Sequence, residues 1–370
     1  MKRYPCLSVN LDAIKKNAEV VSNLCAGYGI TVAGVVKFSD GDLKVSKAYL
    51  DGGCKQLAVS RAMHLEKLKK AFPDTEILLT RAPVTAELEE VAMYADLSLH
   101  SDRDVLIRLN ETAKRLNTRP GIILMLDVGD LREGVDNIKE LAELGEFVEK
   151  ELENLNLRGV GTNLACLNGV LPSWENLSFL VKGAEAIEEK IKRKLDFISG
   201  GSSINMLMLK DGENKMPERV NHLRVGGFIA NPINMRINRG VSFENMREDS
   251  LKLTAEIVEI HKKASAPEST SARNWAGEII KVVDKGIRNR AILAVGGQDI
   301  GNYSTLMPMQ DDIELAGGSS DHTIVDLTES KKEWRSGDTI TFNVKYSAAL
   351  YAFTGKHITI EYCYDEKGEN

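Results

Sequence analysis

The sequence predicts an α/β fold, in which a (β/α)8 TIM barrel is combined with a C-terminal all-β domain. The first 230 residues contain eight short apolar runs rich in β-forming residues. Each run is followed by a charged amphipathic stretch long enough for a helix. From about Met235 the pattern changes to alternating runs without long helices. We therefore expect a barrel domain over residues 9–235 and a β domain over residues 236–370 that also includes residues 1–8.

The eight expected barrel strands alternate with amphipathic segments. The strands are TVAGVVK (31–37), KQLAVS (55–60), TEILLT (75–80), ADLSLH (95–100), GIILMLDV (121–128), LRGVGTNLA (157–165), LDFISGG (195–201) and HLRVGGFI (222–229). Between them, segments such as DVLIRLNETAKRLN (104–117) and NIKELAELGEFVEKELENL (137–155) place apolar residues at three- and four-residue spacings, which predicts helices. Strict alternation implies parallel strands, and eight repeats close a barrel.

The C-terminal part consists of alternating runs typical of half-buried strands. These runs are LKLTAEIVEIHKK (251–263), EIIKVVDKG (278–286), RAILAVGG (290–297), HTIVDLT (322–328) and DTITFNVKY (338–346). The N-terminal run PCLSVNL (5–11) is also strand-like and precedes a predicted helix over 13–29. The segment 263–273 is rich in turn-forming residues, which predicts an exposed loop.

Composition limits the classes of partner. The formal charge is −6 and the pI is near 5.7, without a block of like charges, so neither nucleic acid nor a membrane surface is expected as a partner. The N-terminus lacks a secretory signal and no apolar stretch is long enough to span a membrane, which predicts a cytoplasmic protein. The five scattered cysteines and six histidines form no disulfide framework or metal-ligand pair, so no metal is expected.

Three polar groups follow strands 1, 7 and 8 of the expected barrel, at the end where such barrels carry their reacting groups. Lys37 ends the first strand, and its amine can form a Schiff base with a carbonyl. Ser202 and Ser203 follow adjacent glycines after the seventh strand, where backbone and hydroxyl donors can bind a phosphate. Arg224 and Gly226 end the eighth strand, so that a cation can face a flat ring. This constellation suits pyridoxal 5'-phosphate.

Motifs along almost the whole chain resemble the alanine/ornithine racemase group of fold-type III pyridoxal-phosphate enzymes. They are YPCLSVNLDAIKKNAEVV, VVKFSDGD, GTNLAC, ISGGSS, LRVGGFI, GGQDIG and GGSSDHTIVDL. The GQD and SSDH runs are most similar to the ornithine racemase branch. The resemblance implies a barrel, a C-terminal β domain and a head-to-tail homodimer whose subunits share an active site.

The resemblance also implies site residues. Lys37 matches the Schiff-base lysine, Arg224 the arginine facing the pyridine nitrogen, and Ser202 with Ser203 the phosphate contact. Tyr346 resembles a tyrosine that also contacts phosphate, although it could be an ordinary strand aromatic. Arg132 falls where alanine racemases place an arginine beside the phenolic oxygen, although it could belong to a surface ion pair. Asn163 falls near the position at which alanine racemases have a histidine that stacks on the cofactor ring.

The second catalytic base is left open by the sequence. Alanine racemases take it from a tyrosine of the partner's β domain, but this chain has no tyrosine between Ser242 and Asn302. The candidates by residue type are Tyr303, Ser269, Ser271, Asp321 and His322. Substrate contacts are expected at Asp299, Ser320 and Asp321, with Glu268 as a further carboxylate, because a buried substrate ammonium requires a negatively charged partner.

The leading hypothesis is a racemase that interconverts the L and D forms of ornithine or a similar basic amino acid. Alternatives are an alanine, lysine or broad-specificity racemase, or a fold-type III lyase related to D-threonine aldolase or D-serine dehydratase. A non-enzymatic protein that buffers pyridoxal phosphate is a third possibility, but the β domain beyond the barrel argues against it.

Overall fold

The computed structural model describes residues 3–269, 273–279 and 282–365. They divide into two compact units. The barrel unit comprises Ile14–Lys37 and Gly41–Met246, and the sheet unit comprises the residues before Ile14, Phe38–Asp40 and those from Arg247 onward. Among the described residues, no helix is both long enough and apolar enough to cross a membrane.

The barrel unit contains eight parallel strands that close on themselves in chain order. The strands are β2 (Thr31–Val35), β3 (Gln56–Val59), β4 (Glu76–Leu79), β5 (Leu97–His100), β6 (Gly121–Met125), β7 (Asn156–Gly161), β8 (Phe197–Ser202) and β9 (His222–Val225). The last strand pairs with the first, Arg224 lying opposite Ala33. All eight predicted strands are therefore confirmed, and each is one to four residues shorter than its apolar run.

Helices follow the barrel strands, as their amphipathic patterns predict. They are α1 (Leu11–Ala26), which starts in the sheet unit, and α2 (Leu43–Asp51), α3 (Leu65–Ala71), α4 (Leu88–Tyr94), α5 (Arg103–Leu116), α6 (Ile138–Glu151), α7 (Trp174–Ile191), α8 (Gly227–Ala230) and α9 (Ile233–Arg239). Short 3-10 helices lie at Lys37–Ser39, Ala62–His64 and Thr85–Glu87, and a ten-residue 3-10 segment lies at Ser203–Gly212. Helix α7 ends at Ile191, because Lys192 adopts the left-handed conformation that ends helices.

The barrel interior is apolar over most of its circumference. Side chains from five neighbouring strands and from β8 pack together there: Ala33, Val35, Ala58, Leu78, Leu97, Leu99, Ile123, Met125 and Phe197. Because successive side chains of a strand point to opposite faces, Ser98 and His100 of β5 face the surrounding helices instead. Strands β8 and β9 also place polar side chains in the interior, namely Ser199, His222 and Arg224.

The sheet unit is built around an eight-stranded sheet. Its strands are β1 (Cys6–Asn10), β10 (Leu251–Ala264), β11 (Ile287–Leu293), β12 (Leu306–Pro308), β13 (Glu314–Gly318), β14 (Thr323–Asp326), β15 (Thr339–Val344) and β16 (Thr359–Cys363). The hydrogen-bonded order is β12-β15-β10-β11-β14-β13, and β1 pairs antiparallel with β10 and parallel with β16. Helices α10 (Gly297–Ile300) and α11 (Tyr346–Thr354) and a 3-10 turn at Tyr303–Thr305 interrupt it.

Two predictions for the sheet unit were wrong in detail. The described residues of the run 278–286 form no strand, and β11 begins only at Ile287, after the left-handed turn at Gly286. Tyr346 was expected within a strand, but β15 ends at Val344 and Tyr346 opens helix α11. The alanine-rich sequence that follows, YSAALYAF, explains this difference, since alanine favours helix over strand.

Candidate active site

Lys37 lies immediately beyond the C-terminal end of β2 and begins a 3-10 turn. Its side chain reaches solvent, but desolvation by the surrounding protein lowers the pKa of the Lys37 amine. The charges of Arg132 and Arg224 lower this pKa further, while Cys166 and Glu133 oppose the shift. A larger fraction of the amine is therefore neutral, and nucleophilic, near pH 7.

Arg224 is a buried cation whose hydrogen-bond partners are neutral. Only 3% of the residue is exposed, and Nη2 donates to the carbonyl of Thr162 at 2.5 Å and to Oδ1 of Asn163 at 2.7 Å. Nη1 donates to the hydroxyl oxygen of Ser199. Burial lowers the pKa of Arg224 to about 10, so the guanidinium remains charged at neutral pH. A buried cation without a directly bonded carboxylate lowers the stability of the fold. Charged groups kept in such surroundings are typically functional residues.

Asn163 links Arg224 to a surface ion pair. Its Oδ1 accepts from Arg224, and its Nδ2 donates to the carboxylate of Glu133. Glu133 in turn accepts from Nη2 of Arg132 at 2.9 Å. The structure thus brings Lys37, Arg132, Asn163 and Arg224 to one end of the barrel, and Glu133 joins them although the sequence did not single it out.

Asp130 holds the loops after β6 and β7 together. Its carboxylate accepts from the backbone N–H groups of Cys166 and Leu167, both at 3.0 Å, and of Asn168 at 3.1 Å. Burial alone would raise the pKa of Asp130, but the backbone hydrogen bonds outweigh it and lower this pKa. The loop that follows Asn163 is therefore fixed to the loop that carries Arg132.

Ser203 joins the ends of the last two barrel strands. Its hydroxyl oxygen accepts from the N–H groups of Gly226 at 3.2 Å and Phe228 at 3.3 Å, and the hydroxyl proton can still be donated to a ligand. A side chain at Gly226 would collide with the carbonyl oxygen of Val35, at 2.7 Å from an added Cβ. Glycine is thus required here for the approach of β9 to β2. The neighbouring Ser202 donates its N–H to Oδ1 of Asn205 at 3.0 Å.

The remaining predicted site residues lie in the sheet unit, where most of them form one polar cluster. Gln298 of α10 donates to Oδ1 of Asp321 at 2.5 Å, and Ser320 donates to Oδ2 at 2.6 Å. The backbone N–H of Gln298 also donates to the carbonyl of Ser320 at 3.0 Å. His322 follows in the same turn, and Tyr303 packs beside Gly318. The GQD and SSDH motifs are therefore parts of one structure.

Asp299 differs from Asp321 in its surroundings. It is 7% exposed, its carboxylate accepts from the N–H of Gly296 at 2.9 Å, and burial raises its pKa. It therefore acts as a cap of α10, whereas Asp321 is exposed at the surface of the sheet unit.

Other candidates from the sequence are placed apart from this cluster or outside the described residues. The ring of Tyr346 lies 6.5 Å from that of Phe38. Glu268 and Ser269 lie in the exposed loop after β10, and Ser271 falls outside the described residues.

The contacts of Arg224 and of the loop after β7 were missed by the sequence interpretation. Ser199, His222 and Asp130 are all buried and all take part in these contacts. A usable signal did exist for two of them, because Ser199 and His222 fall on the inward-facing positions of strands whose neighbours are otherwise apolar.

Comparison with known proteins is consistent with this arrangement. The family model described as alanine racemase, N-terminal domain, matches residues 9–230. An ornithine racemase from Acetoanaerobium sticklandii is 37% identical over 97% of this chain and 99% of that protein. A lysine racemase from Thermotoga maritima is 32% identical over 96% of this chain and 97% of that protein.

Solved structures show the same fold. The alanine racemase from D-cycloserine-producing Streptomyces lavendulae superposes with a TM-score of 0.72 and 15% identity, over 98% of each chain.

The family match covers more than half of the chain, and the two racemases match it almost end to end. The chain therefore belongs to the alanine racemase family, whose members use pyridoxal phosphate.

Proposed function

We propose that this protein is a pyridoxal-phosphate-dependent racemase of basic amino acids, with ornithine as its preferred substrate and an active site shared between two copies of the chain. The observation that carries the proposal is the pairing of Lys37, whose amine has a lowered pKa, with the buried cation Arg224 at the same end of the barrel. The extensive similarity to an ornithine racemase and a lysine racemase supports the choice of substrate.

The residues of the barrel unit fit the cofactor. Lys37, Arg132 and Arg224 are cations, and Glu133 is the carboxylate that acts on Lys37 and Arg224, so this end of the barrel suits an anionic ligand. Lys37 is the group that would bind the aldehyde, and Ser203 with Ser202 would hold the phosphate. Arg224 would face the ring nitrogen. When bound, pyridoxal phosphate makes the α-proton of an amino acid acidic by withdrawing electrons from the α-carbon.

Lys37 would remove or return the α-proton on one face of the substrate. Its lowered pKa suits this role, because a base is most effective when its pKa lies near the working pH. Arg224 would remain protonated beside the ring nitrogen, so that nitrogen would act as an acceptor and the protein would favour return of the proton to the α-carbon. Glu133 holds Arg132 and Asn163 in place, and these two side chains would limit the motion of the bound cofactor beside Arg224.

A second base is required on the opposite face of the substrate. We propose that the polar cluster of a second copy supplies it, with Tyr303 or His322 as the base. These two residues lie beside the Ser319–Asp321 turn. This turn is formed by the SSDH motif and contacts the GQD motif, the two runs that resemble the ornithine racemase branch.

Subunit complementation tests the shared site. Lys37→Ala and a Tyr303→Phe, His322→Gln double variant should each be inactive alone. After the two proteins are unfolded and refolded together in equal amounts, about a quarter of the sites should carry both intact groups, since half of randomly formed dimers are mixed and one of their two sites is whole. Recovery of about a quarter of wild-type racemisation is the expected result. A mixture that stays inactive while mixed dimers are present would contradict sharing.

Selection of a positive side chain is expected to depend on Asp321. Its carboxylate is exposed and lies on the turn between β13 and β14, so it can pair with the terminal ammonium of ornithine or lysine. Asp321→Asn should lower kcat/KM for ornithine by about ten- to a hundredfold, the loss of a charged hydrogen bond of about 1.5–3 kcal/mol, and change alanine turnover little.

Two control variants make this test specific. Asp299→Asn should depress turnover of both substrates alike, because it weakens the cap of α10, and the exposed Asp311→Asn should leave both unchanged. Equal losses for ornithine and alanine in Asp321→Asn would refute the assignment.

A further inference from the structure

A continuous chain of hydrogen bonds runs through the barrel interior to Arg224. Nε2 of Gln56 donates to the carboxylate of Glu76 at 2.7 Å, and Oε1 of Gln56 contacts Nε2 of His222 at 2.8 Å. Nδ1 of His222 contacts the hydroxyl of Ser199 at 2.7 Å, and Ser199 accepts from Nη1 of Arg224. Gln56, His222 and Ser199 are almost completely buried, so water does not compete for the contacts among these three side chains.

The direction of each bond in this chain follows from Glu76. A carboxylate only accepts hydrogen bonds, so Gln56 must turn its amide N–H toward Glu76 and its carbonyl oxygen toward His222. Nε2 of His222 must then carry the proton, which leaves Nδ1 as an acceptor. The hydroxyl proton of Ser199 therefore points to His222, and a lone pair of its oxygen points to Arg224.

His222 must be neutral for this arrangement to exist. A doubly protonated ring would place a proton between Nδ1 and Ser199, and a positive charge beside Arg224. Burial, followed by the charge of Arg224, lowers the pKa of His222 to about 3. The pKa of this ring is thus far enough below its usual value for the ring to remain neutral between pH 5 and pH 8.

The far end of the chain is anchored at the opposite side of the barrel. Arg158 donates to Glu76 at 3.1 Å and also pairs with Asp196, while its guanidinium lies 5.1 Å from the centre of the Phe197 ring. The Phe197 ring in turn packs at 5.1 Å from the imidazole of His222. Glu76 is therefore held in the position from which it orients Gln56.

We infer that Glu76, Gln56, His222 and Ser199 are positioning residues, which present a hydroxyl lone pair to Arg224 and so fix its guanidinium toward the cofactor ring. This inference rests on the proposed function only for the identity of the ligand that Arg224 faces. The orientation of the chain of hydrogen bonds is a property of the barrel unit alone.

The imidazole of His222 gives a direct test in the wild-type protein. In the purified holoenzyme labelled with 15N-histidine, the His222 signals, identified from a His222→Gln spectrum, should show a neutral ring protonated at Nε2 from pH 8 to pH 5. A ring that titrates near pH 6.5, or that carries its proton on Nδ1, would overturn the inference. The protonation state is read from the wild-type protein, and the His222→Gln variant serves only to assign its signals.

A matched pair of serine variants tests the effect on Arg224. The barrel contains a second buried serine–histidine pair, Ser98 with His100 at 2.8 Å, which faces the helices rather than Arg224. Ser199→Ala should weaken the affinity for pyridoxal phosphate by about tenfold and shift the visible absorbance of the bound cofactor, whereas Ser98→Ala should change affinity less than about twofold. Equal affinities in the two variants would also overturn the inference.

Glu76→Gln provides the last comparison. With an amide in place of the carboxylate, Gln56 can take either orientation, so the His222 spectrum should show both tautomers. A spectrum unchanged from wild type would contradict the role of Glu76 in setting the direction. Failure of the proposed function is separately visible, because borohydride would then leave no cofactor on Lys37 while the wild-type histidine spectrum would be unaffected.

Discussion

Replacing Lys37 with alanine is expected to reduce racemisation by at least about a thousandfold, because the variant loses both the amine that binds the cofactor covalently and the base for one face of the substrate. Racemisation of ornithine is followed by polarimetry. The wild-type protein should be yellow, and borohydride should fix the cofactor to a single peptide that contains Lys37.

Lys55 provides the matched control for this experiment. It is exposed and lies just before β3, at the opposite end of a neighbouring barrel strand. Lys55→Ala should retain wild-type activity and the same label. Activity in Lys37→Ala, or a label on another lysine, would show that the cofactor is bound elsewhere.

Replacing Arg224 with glutamate is expected to lower racemisation by about a hundredfold or more, since the site loses a preorganised cation and gains a group that favours a proton on the ring nitrogen. A stronger electron sink should also send a larger share of turnovers to the keto acid, which a coupled dehydrogenase assay detects. The carboxylate would face Ser199, Thr162 and Asn163, whose present contacts with Arg224 all use acceptor atoms.

Arg224→Lys separates charge from geometry. Lysine keeps the positive charge but cannot reproduce contacts to all three acceptors from a planar fork. We expect intermediate racemisation and no increase in keto acid. If Arg224→Glu racemised ornithine at the wild-type rate without forming keto acid, Arg224 would not be the group that faces the ring.

The fold could be predicted from the sequence because it depends on local patterns. Eight apolar runs with the length of strands alternate with amphipathic segments that have the periodicity of helices. Eight such repeats predict a closed barrel. Tyr346, which was expected in a strand but begins a helix, shows where such local patterns fail. The run DTITFNVKY continues the strand pattern, but the helix that starts at Tyr346 is determined by the alanines beyond it.

The candidate site was predictable only where residues stand at strand ends. Lys37, Arg224 and Ser203 have this position, and the barrel brings their strands together. The contacts of His222 could not be predicted in the same way, because Ser199 and Gln56 lie 23 and 166 residues away from it in the chain. The contacts of Asp130 could not be predicted either, since its carboxylate accepts hydrogen bonds from a loop that begins more than 30 residues later in the chain.

The most direct test of the proposed racemase is exchange of the α-proton in deuterated water, followed by proton NMR for L-ornithine and D-ornithine in separate samples. A racemase must remove the α-proton from both faces, so we expect loss of the α-proton signal from both forms, with a mixture of the two as the final product. Exchange with one form only, or conversion to an aldehyde or a keto acid without any of the opposite form, would contradict it.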